Sequence, residues 1–231
     1  MFKRTDFRGT WGLKGPIGTL VVYSCVLFPL IHIVFPQAQK WAPAIYPAYF
    51  GMVVLFLVFT RHATWHQLGF HKKLWKQNLK VGGLSGILVV AMVPLLDFFV
   101  GVSGLGQAEL FAGADQRFSE DPKEGFSFIV FIIPTILIAL AEQVFLTGYV
   151  FQALIRKIKP VLAIYLGGLI FTLVHFDLQL GMFLLGLITA FFYCLNGSLL
   201  APLIFQIACH TAGWLLIHHY PKVFTLLGFL F

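Results

Sequence analysis

The chain has 231 residues, of which 59% are hydrophobic and only 11% are charged. A soluble domain usually carries about 25% charged residues, so this composition excludes an ordinary soluble globular protein. The formal net charge of +7 is typical of proteins that bind nucleic acid or membrane surfaces. The basic residues flank apolar segments and form no separate patch with interleaved aromatic residues, so we predict a lipid bilayer as partner and no nucleic acid.

Apolar segments of roughly the length that a helix needs to cross a bilayer, about 20 residues, recur along the whole chain. They predict an all-α polytopic bundle of seven or eight transmembrane helices, forming one integral-membrane domain over residues 1–231. The predicted spans are residues 15–35, 43–60, 81–101, 126–155, 161–176, 179–195 and 199–217. The apolar stretch 222–231 is too short to cross and is either an interfacial helix or a partial eighth span.

Lysine and arginine residues are distributed unequally between the two predicted sides. Of the 16 in the chain, all but Lys40, Arg117, Lys123 and Lys222 fall on the side of the N-terminus. The positive-inside rule therefore predicts a cytoplasmic N-terminus, with the acidic loop 102–125 outside. We expect an integral membrane protein of a bacterial inner (cytoplasmic) membrane.

Three polar residues of different spans are predicted to share one depth. Glu142 and His175 each lie about 21 Å from the inner boundary at 1.5 Å per residue, and His210 lies about 16 Å from it. An unpaired carboxylate at such a depth costs a few kcal/mol, so Glu142 is a candidate functional residue. If the three side chains face inward, they form one site. Two alternatives remain open: each histidine only packs and bonds a carbonyl, or Glu142 is a proton relay in a transporter.

Three stretches resemble the motifs of one family. "EQVFLTGYVF" (142–151) resembles the E-E-x-x-x-R-G motif, and "FTLVH" (171–175) matches F-x-x-x-H, in the CPBP family of CAAX-protease and bacteriocin-processing (ABI-type) intramembrane proteases. "FLLGLITAFFYCLNGSLLAPLIFQIACH" (183–210) resembles the family's third block, which ends in a histidine. The similarity defines a CPBP-like core over about 126–217.

The chain departs from the family pattern at three positions. Gln143 stands in place of the second glutamate, Thr147 in place of the arginine, and Trp214 in place of the asparagine that follows the last histidine by four residues. Residues four apart share a helix face, so the second glutamate and the arginine of the family pattern are placed to form an ion pair. We predict that a hydrogen bond between Gln143 and Thr147 replaces that pair here. Gln206, one turn before His210, is a candidate amide in the same site.

The resemblance implies an intramembrane endopeptidase that hydrolyses a peptide bond in a membrane-associated protein or peptide precursor. In that interpretation Glu142 is the general base, His175 orients the water and His210 donates to the oxyanion. Gln143, Thr147, Gln206 and Trp214 are supporting residues.

Two alternatives to this metal-free enzyme stay open. We favour no cofactor, but Glu142, His175 and His210 also form a two-histidine, one-carboxylate set that suits zinc. The departures from the motif instead suggest a catalytically inactive relative that acts as a regulatory or immunity partner.

Overall fold

The computed structural model describes residues 12–70, 75–104, 128–176 and 179–227, and the regular elements within these ranges are helical. The all-α prediction is therefore confirmed for this part of the chain. The α-helices are α1 (Lys14–Val22), α2 (Ala42–Phe59), α3 (Trp75–Val102), α4 (Phe128–Glu142), α5 (Gln152–Ile155), α6 (Pro160–His175), α7 (Leu180–Asn196), α8 (Leu200–His219) and α9 (Pro221–Leu227). π-helical segments cover Tyr23–Leu27, Leu30–Val34 and Gln143–Phe151, and a 3-10 helix covers Pro36–Trp41.

Several helices are long and apolar enough to cross a bilayer, as expected for an integral membrane protein. Four reach that length within the described ranges, namely Lys14–Val34, Trp75–Val102, Phe131–Ile155 and Leu200–His219. Shorter apolar helices cover Ala44–Phe59, Pro160–His175 and Leu180–Asn196. The predicted count of seven or eight spans and the cytoplasmic N-terminus are not confirmed and stay predictions, and residues 105–125 of the acidic loop lie outside the described residues.

The helix that carries Glu142 changes its winding there. α4 continues without a break through the π-helical segment Gln143–Phe151 into α5, and all nine residues of that segment are buried. Such π-helical insertions are rare in proteins overall, and those that do occur frequently lie at functional sites. A β-carbon on Gly148 would lie 2.6 Å from the Leu68 carbonyl oxygen, so glycine lets the segment approach the loop 61–70.

Small residues bring the remaining helices close together. A β-carbon on Gly82 of α3 would lie 2.8 Å from the Ala201 carbonyl oxygen of α8, and one on Gly186 of α7 would overlap Phe171 of α6. Close backbone approach through glycine is a common way to pack helices in membranes. α8 also packs against α4 and α7, so the last turn of α6 and the middle of α8 are held beside Glu142.

The loop 61–70 closes the bundle beneath α5. The Gln152 amide nitrogen donates to the Gln67 carbonyl at 2.7 Å and to the Tyr193 hydroxyl at 2.8 Å. The Leu199 backbone N–H donates to the Gly69 carbonyl at 3.0 Å, and Gly69 has a φ of 110°, a conformation that favours glycine. These bonds fix the end of the Glu142 helix against α7 and the start of α8.

Candidate active site

Glu142, the last residue of α4, is 6% exposed and has a partner for each carboxyl oxygen. Oε1 lies 3.2 Å from Nε2 of His175, and Oε2 accepts a hydrogen bond from Nε2 of Gln206 at 2.5 Å. A buried charge is tolerated when it is paired and hydrogen-bonded. This coordination by α6 and α8 explains how an apolar span accommodates the carboxylate.

His175 ends α6 and is held at both ring nitrogens. Nδ1 lies 2.7 Å from the Phe171 carbonyl oxygen, which only accepts, so Nδ1 carries a proton. Nε2 then faces Glu142 with one proton between the two groups, either on the carboxyl or on an imidazolium. The side chain of His175 is 22% exposed, against 7% for Glu142, so the site is reached past the imidazole.

Gln206 lies at the centre of the network and is fully buried. Its Oε1 accepts a hydrogen bond from Gln143 Nε2 at 2.6 Å, while its Nε2 donates to Glu142 and lies 3.3 Å from Nε2 of His210. A glutamine amide offers two N–H donors and one carbonyl oxygen. All of these are therefore engaged, each with a different side chain.

Gln143 and Thr147 extend this network one turn along the π-helical segment. The Thr147 hydroxyl donates to Gln143 Oε1 at 2.7 Å, so the predicted hydrogen bond between these residues is confirmed. Both side chains are buried. The result is a directed chain of donors from Thr147 through Gln143 and Gln206 to the carboxylate of Glu142.

His210 is connected to Glu142 through the Gln206 amide. It is half-buried and lies one turn beyond Gln206 on α8. The structure thus brings the three residues picked from their depth, Glu142, His175 and His210, to one place. It also makes Gln206, expected only as a supporting amide, the residue of α8 that bonds the carboxylate.

Trp214 lies two turns beyond Gln206, among aromatic rings near the end of α8. Its ring centroid is 5.7 Å from Phe131, 5.0 Å from His218 and 5.3 Å from His219. Its expected role as a supporting residue of the site stays a prediction.

The zinc alternative stays a prediction, but the side chains as they are arranged do not form a ready set of ligands. Within residues 12–70, 75–104, 128–176 and 179–227, no group of three or more His, Cys, Asp or Glu side chains is placed to hold a metal ion. Gln206 lies between two of the candidate ligands, with its Nε2 2.5 Å from Glu142 Oε2 and 3.3 Å from His210 Nε2. A metal bound to both atoms would have to displace this amide.

Tyr23 is a site neighbour that the sequence reasoning did not find. It is 1% exposed, and its hydroxyl donates to the carbonyl of Val174, the residue before His175, at 2.8 Å. Its ring packs on Phe50 and Phe176. A tyrosine inside the first span was the available signal, but nothing in the sequence pointed to α6 as its partner.

Comparison with known families identifies the segment that builds this site. Residues 124–212 match the family model described as "Type II CAAX prenyl endopeptidase Rce1-like". No curated protein and no solved structure matches the chain. The matched segment contains Glu142, His175, Gln206 and His210 and ends before Trp214. Residues 124–212 are therefore similar to the Rce1-like family, and the resemblance to the CPBP family is confirmed over that segment.

Proposed function

We propose that this protein is an intramembrane endopeptidase that hydrolyses a peptide bond in a membrane-associated protein or peptide precursor. The observation that carries the proposal is the buried carboxylate of Glu142, held between His175 and Gln206 inside the Rce1-like segment. A general base that contacts a partly exposed imidazole is suited to activating water beside a substrate in the membrane.

The proton balance of the Glu142–His175 pair suits this chemistry. In the proposed reactive form Glu142 is a carboxylate and His175 an imidazolium, so the pair is neutral overall and each charge has the paired partner that charges inside a membrane require. Glu142 takes a proton from water, and the hydroxide adds to the scissile carbonyl carbon. The carbon–nitrogen bond then breaks, and the leaving amine takes the proton that Glu142 received.

The oxyanion that forms on the carbonyl carbon requires a hydrogen-bond donor. His210 is the proposed donor, because its Nε2 faces the Gln206 amide and its other nitrogen then carries the proton. His175 assists by orienting the water from Nε2. A positioned donor of this kind contributes about 10²- to 10³-fold to the rate.

The proposed substrate reaches the site from the membrane. A prenylated CAAX peptide is the first substrate class to test, because the matched family is described as a CAAX prenyl endopeptidase. The partners are thus the bilayer and a membrane-associated substrate, without nucleic acid or a metal cofactor. The excess of basic residues on the N-terminal side supports a cytoplasmic N-terminus, and the proposed location is a bacterial inner membrane.

The inactive alternative is less well supported than the enzyme. It relied on the neutral residues Gln143 and Thr147, which stand where the family pattern has charges. These two residues form a hydrogen bond with each other, and Gln143 donates in turn to Gln206, which donates to the carboxylate. The replacement is internally consistent, which favours a working site over a decayed one.

The experiment is cleavage of a farnesylated CAAX peptide in proteoliposomes, followed by mass spectrometry. Glu142→Gln keeps the volume and can still accept from Gln206, but it removes the base. We expect the variant to run as a monodisperse, folded protein and to lose at least about 10²-fold in rate. An unprenylated peptide and a plain transmembrane peptide, tested in parallel, define the substrate class. Equal cleavage by the wild type and Glu142→Gln would rule the proposed function out.

A further inference from the structure

The hydrogen-bond chain that ends at Glu142 runs in one direction. An ionised carboxylate only accepts, so the Gln206 atom that faces it has to be the amide nitrogen. Gln206 Oε1 is then turned toward Gln143, whose own oxygen accepts from the Thr147 hydroxyl. Reversing the chain would turn the Gln206 oxygen toward the carboxylate and leave the carboxylate without this donor.

The same nitrogen of Gln206 also faces His210. Its first N–H bonds Glu142 Oε2, and its second points to Nε2 of His210, 3.3 Å away. Nitrogen to nitrogen contact requires a donor on one side and a lone pair on the other. The His210 Nε2 is therefore the acceptor, and the proton of the neutral ring lies on Nδ1.

We propose that Gln206 is a positioning residue that orients the Glu142 carboxylate and fixes His210 as the Nδ1-protonated tautomer. Gln206 and His210, four residues apart on α8, are thus the two side chains of this helix that are connected to the carboxylate. The catalytic consequence rests on the proposed function, whereas the tautomer does not.

For catalysis, this assignment separates the duties of the two α8 residues. Gln206 has neither a proton to transfer at neutral pH nor a free N–H, so it does not act on the substrate itself. Its effect is to hold the Glu142 carboxylate in position beside His175. It also leaves the Nδ1–H of His210 as the group that donates to the oxyanion. Misplacing a base by about 1 Å costs about 10²-fold in rate, which sets the size of the expected defect.

The test is ¹⁵N NMR of histidine-labelled protein in lipid bilayers, with the His210 signals assigned by their loss in His210→Gln. In the wild type we expect a protonated Nδ1 and an unprotonated, hydrogen-bonded Nε2. Gln206→Met has nearly the same volume and no donor, and should abolish this preference while lowering kcat by about 10²-fold with little change in KM.

Gln152→Met is the matched control, because Gln152 is also a buried glutamine of this bundle but bonds Gln67 and Tyr193 instead. It should leave the His210 signals unchanged. A wild-type His210 protonated at Nε2 overturns the proposal even if Gln206→Met does not fold. So does an identical His210 tautomer in the wild type and a folded Gln206→Met. If the wild type carries Nδ1–H but cleaves no peptide, the inference stands and the proposed function fails.

Discussion

The helices Trp75–Val102 and Phe131–Ile155 are both long and apolar, but they differ in how much of their surface is buried in the bundle. Their most apolar windows have mean hydropathies of 2.2 and 1.8, yet 17% of the first window is buried against 50% of the second. Hydropathy alone therefore does not distinguish a helix that faces lipid from one that carries a site. The difference lies in what their polar side chains bond.

In α3 the Ser85 hydroxyl is satisfied by its own helix, and so is the Thr135 hydroxyl of the Glu142 helix, whereas the carboxylate and amides of the Glu142 helix bond across helices. The Ser85 hydroxyl donates to the Val81 carbonyl one turn earlier, which requires no neighbour. Gln143 and Glu142 instead depend on Gln206 of α8. Carboxylates and amides cannot be satisfied by their own helix backbone as easily as hydroxyls, so in a membrane they oblige other helices to pack around them.

The largest expected contrast is between the acids of these two helices. Asp97 of α3 is half-buried near the C-terminal end of that helix. We expect Asp97→Asn to keep the rate of peptide cleavage within about twofold of the wild type, as for most substitutions away from a site. The same exchange at Glu142 should remove at least about 10²-fold. Initial rates in one lipid composition measure both.

A large loss in Asp97→Asn with unchanged folding would contradict this comparison, because it would extend the chemistry to α3. Retained activity in Glu142→Gln alone would instead remove the base from the mechanism.

Much of the fold could be predicted from the lengths of the apolar segments and from the glycine and proline residues between them. The predicted spans 161–176 and 199–217 correspond to Pro160–His175 and Leu200–His219. The start of α3 was placed at 81, whereas the helix begins at Trp75, because its first turns are polar and leave the hydrophobic window. The π-helical winding of Gln143–Phe151 depends on tertiary packing and has no sequence signal that we recognise.

The residues of the site could be predicted from the sequence, but most of the hydrogen bonds between them could not. Counting residues from the span ends brought Glu142, His175 and His210 to one depth, and a spacing of four gave the Gln143–Thr147 bond. Depth does not say which of two residues one turn apart touches a given carboxylate. Only the rotation of α8 against α4 decides that Gln206, and not His210, bonds Glu142. Asp177, which follows His175 by two residues, lies outside the described residues.

A smaller effect is expected where glycines of the two helices differ in surroundings. Alanine at Gly148 would bring a β-carbon to 2.6 Å from the Leu68 carbonyl oxygen and 3.0 Å from Leu199 Cδ1, whereas a β-carbon at Gly83 of α3 would meet no atom of another described element within 4 Å. We expect Gly148→Ala to lower the free energy of unfolding by about 1–3 kcal/mol through overpacking. Gly83→Ala should raise it by up to about 1 kcal/mol through helix propensity.

Both glycine variants can be measured by SDS titration of the protein in mixed micelles, with circular dichroism as the signal. Equal effects of the two variants would mean that the contact between Gly148 and the loop 61–70 does not constrain the helix.

The smallest effect is expected for the loss of single hydroxyl groups. It tests the difference in hydrogen bonding on which the comparison of the two helices rests. Thr147→Val preserves shape but removes the donor to the buried Gln143 oxygen, which should cost about 1 kcal/mol of unfolding free energy and a few-fold in cleavage rate. Ser85→Ala removes a hydroxyl that bonds only within α3, so its change should stay within about 0.5 kcal/mol. If the two losses are equal in the same titration, the chain from Thr147 to Glu142 transmits nothing. A larger loss for Thr147→Val indicates that one hydroxyl supports a carboxylate three hydrogen bonds away, as a directed network requires.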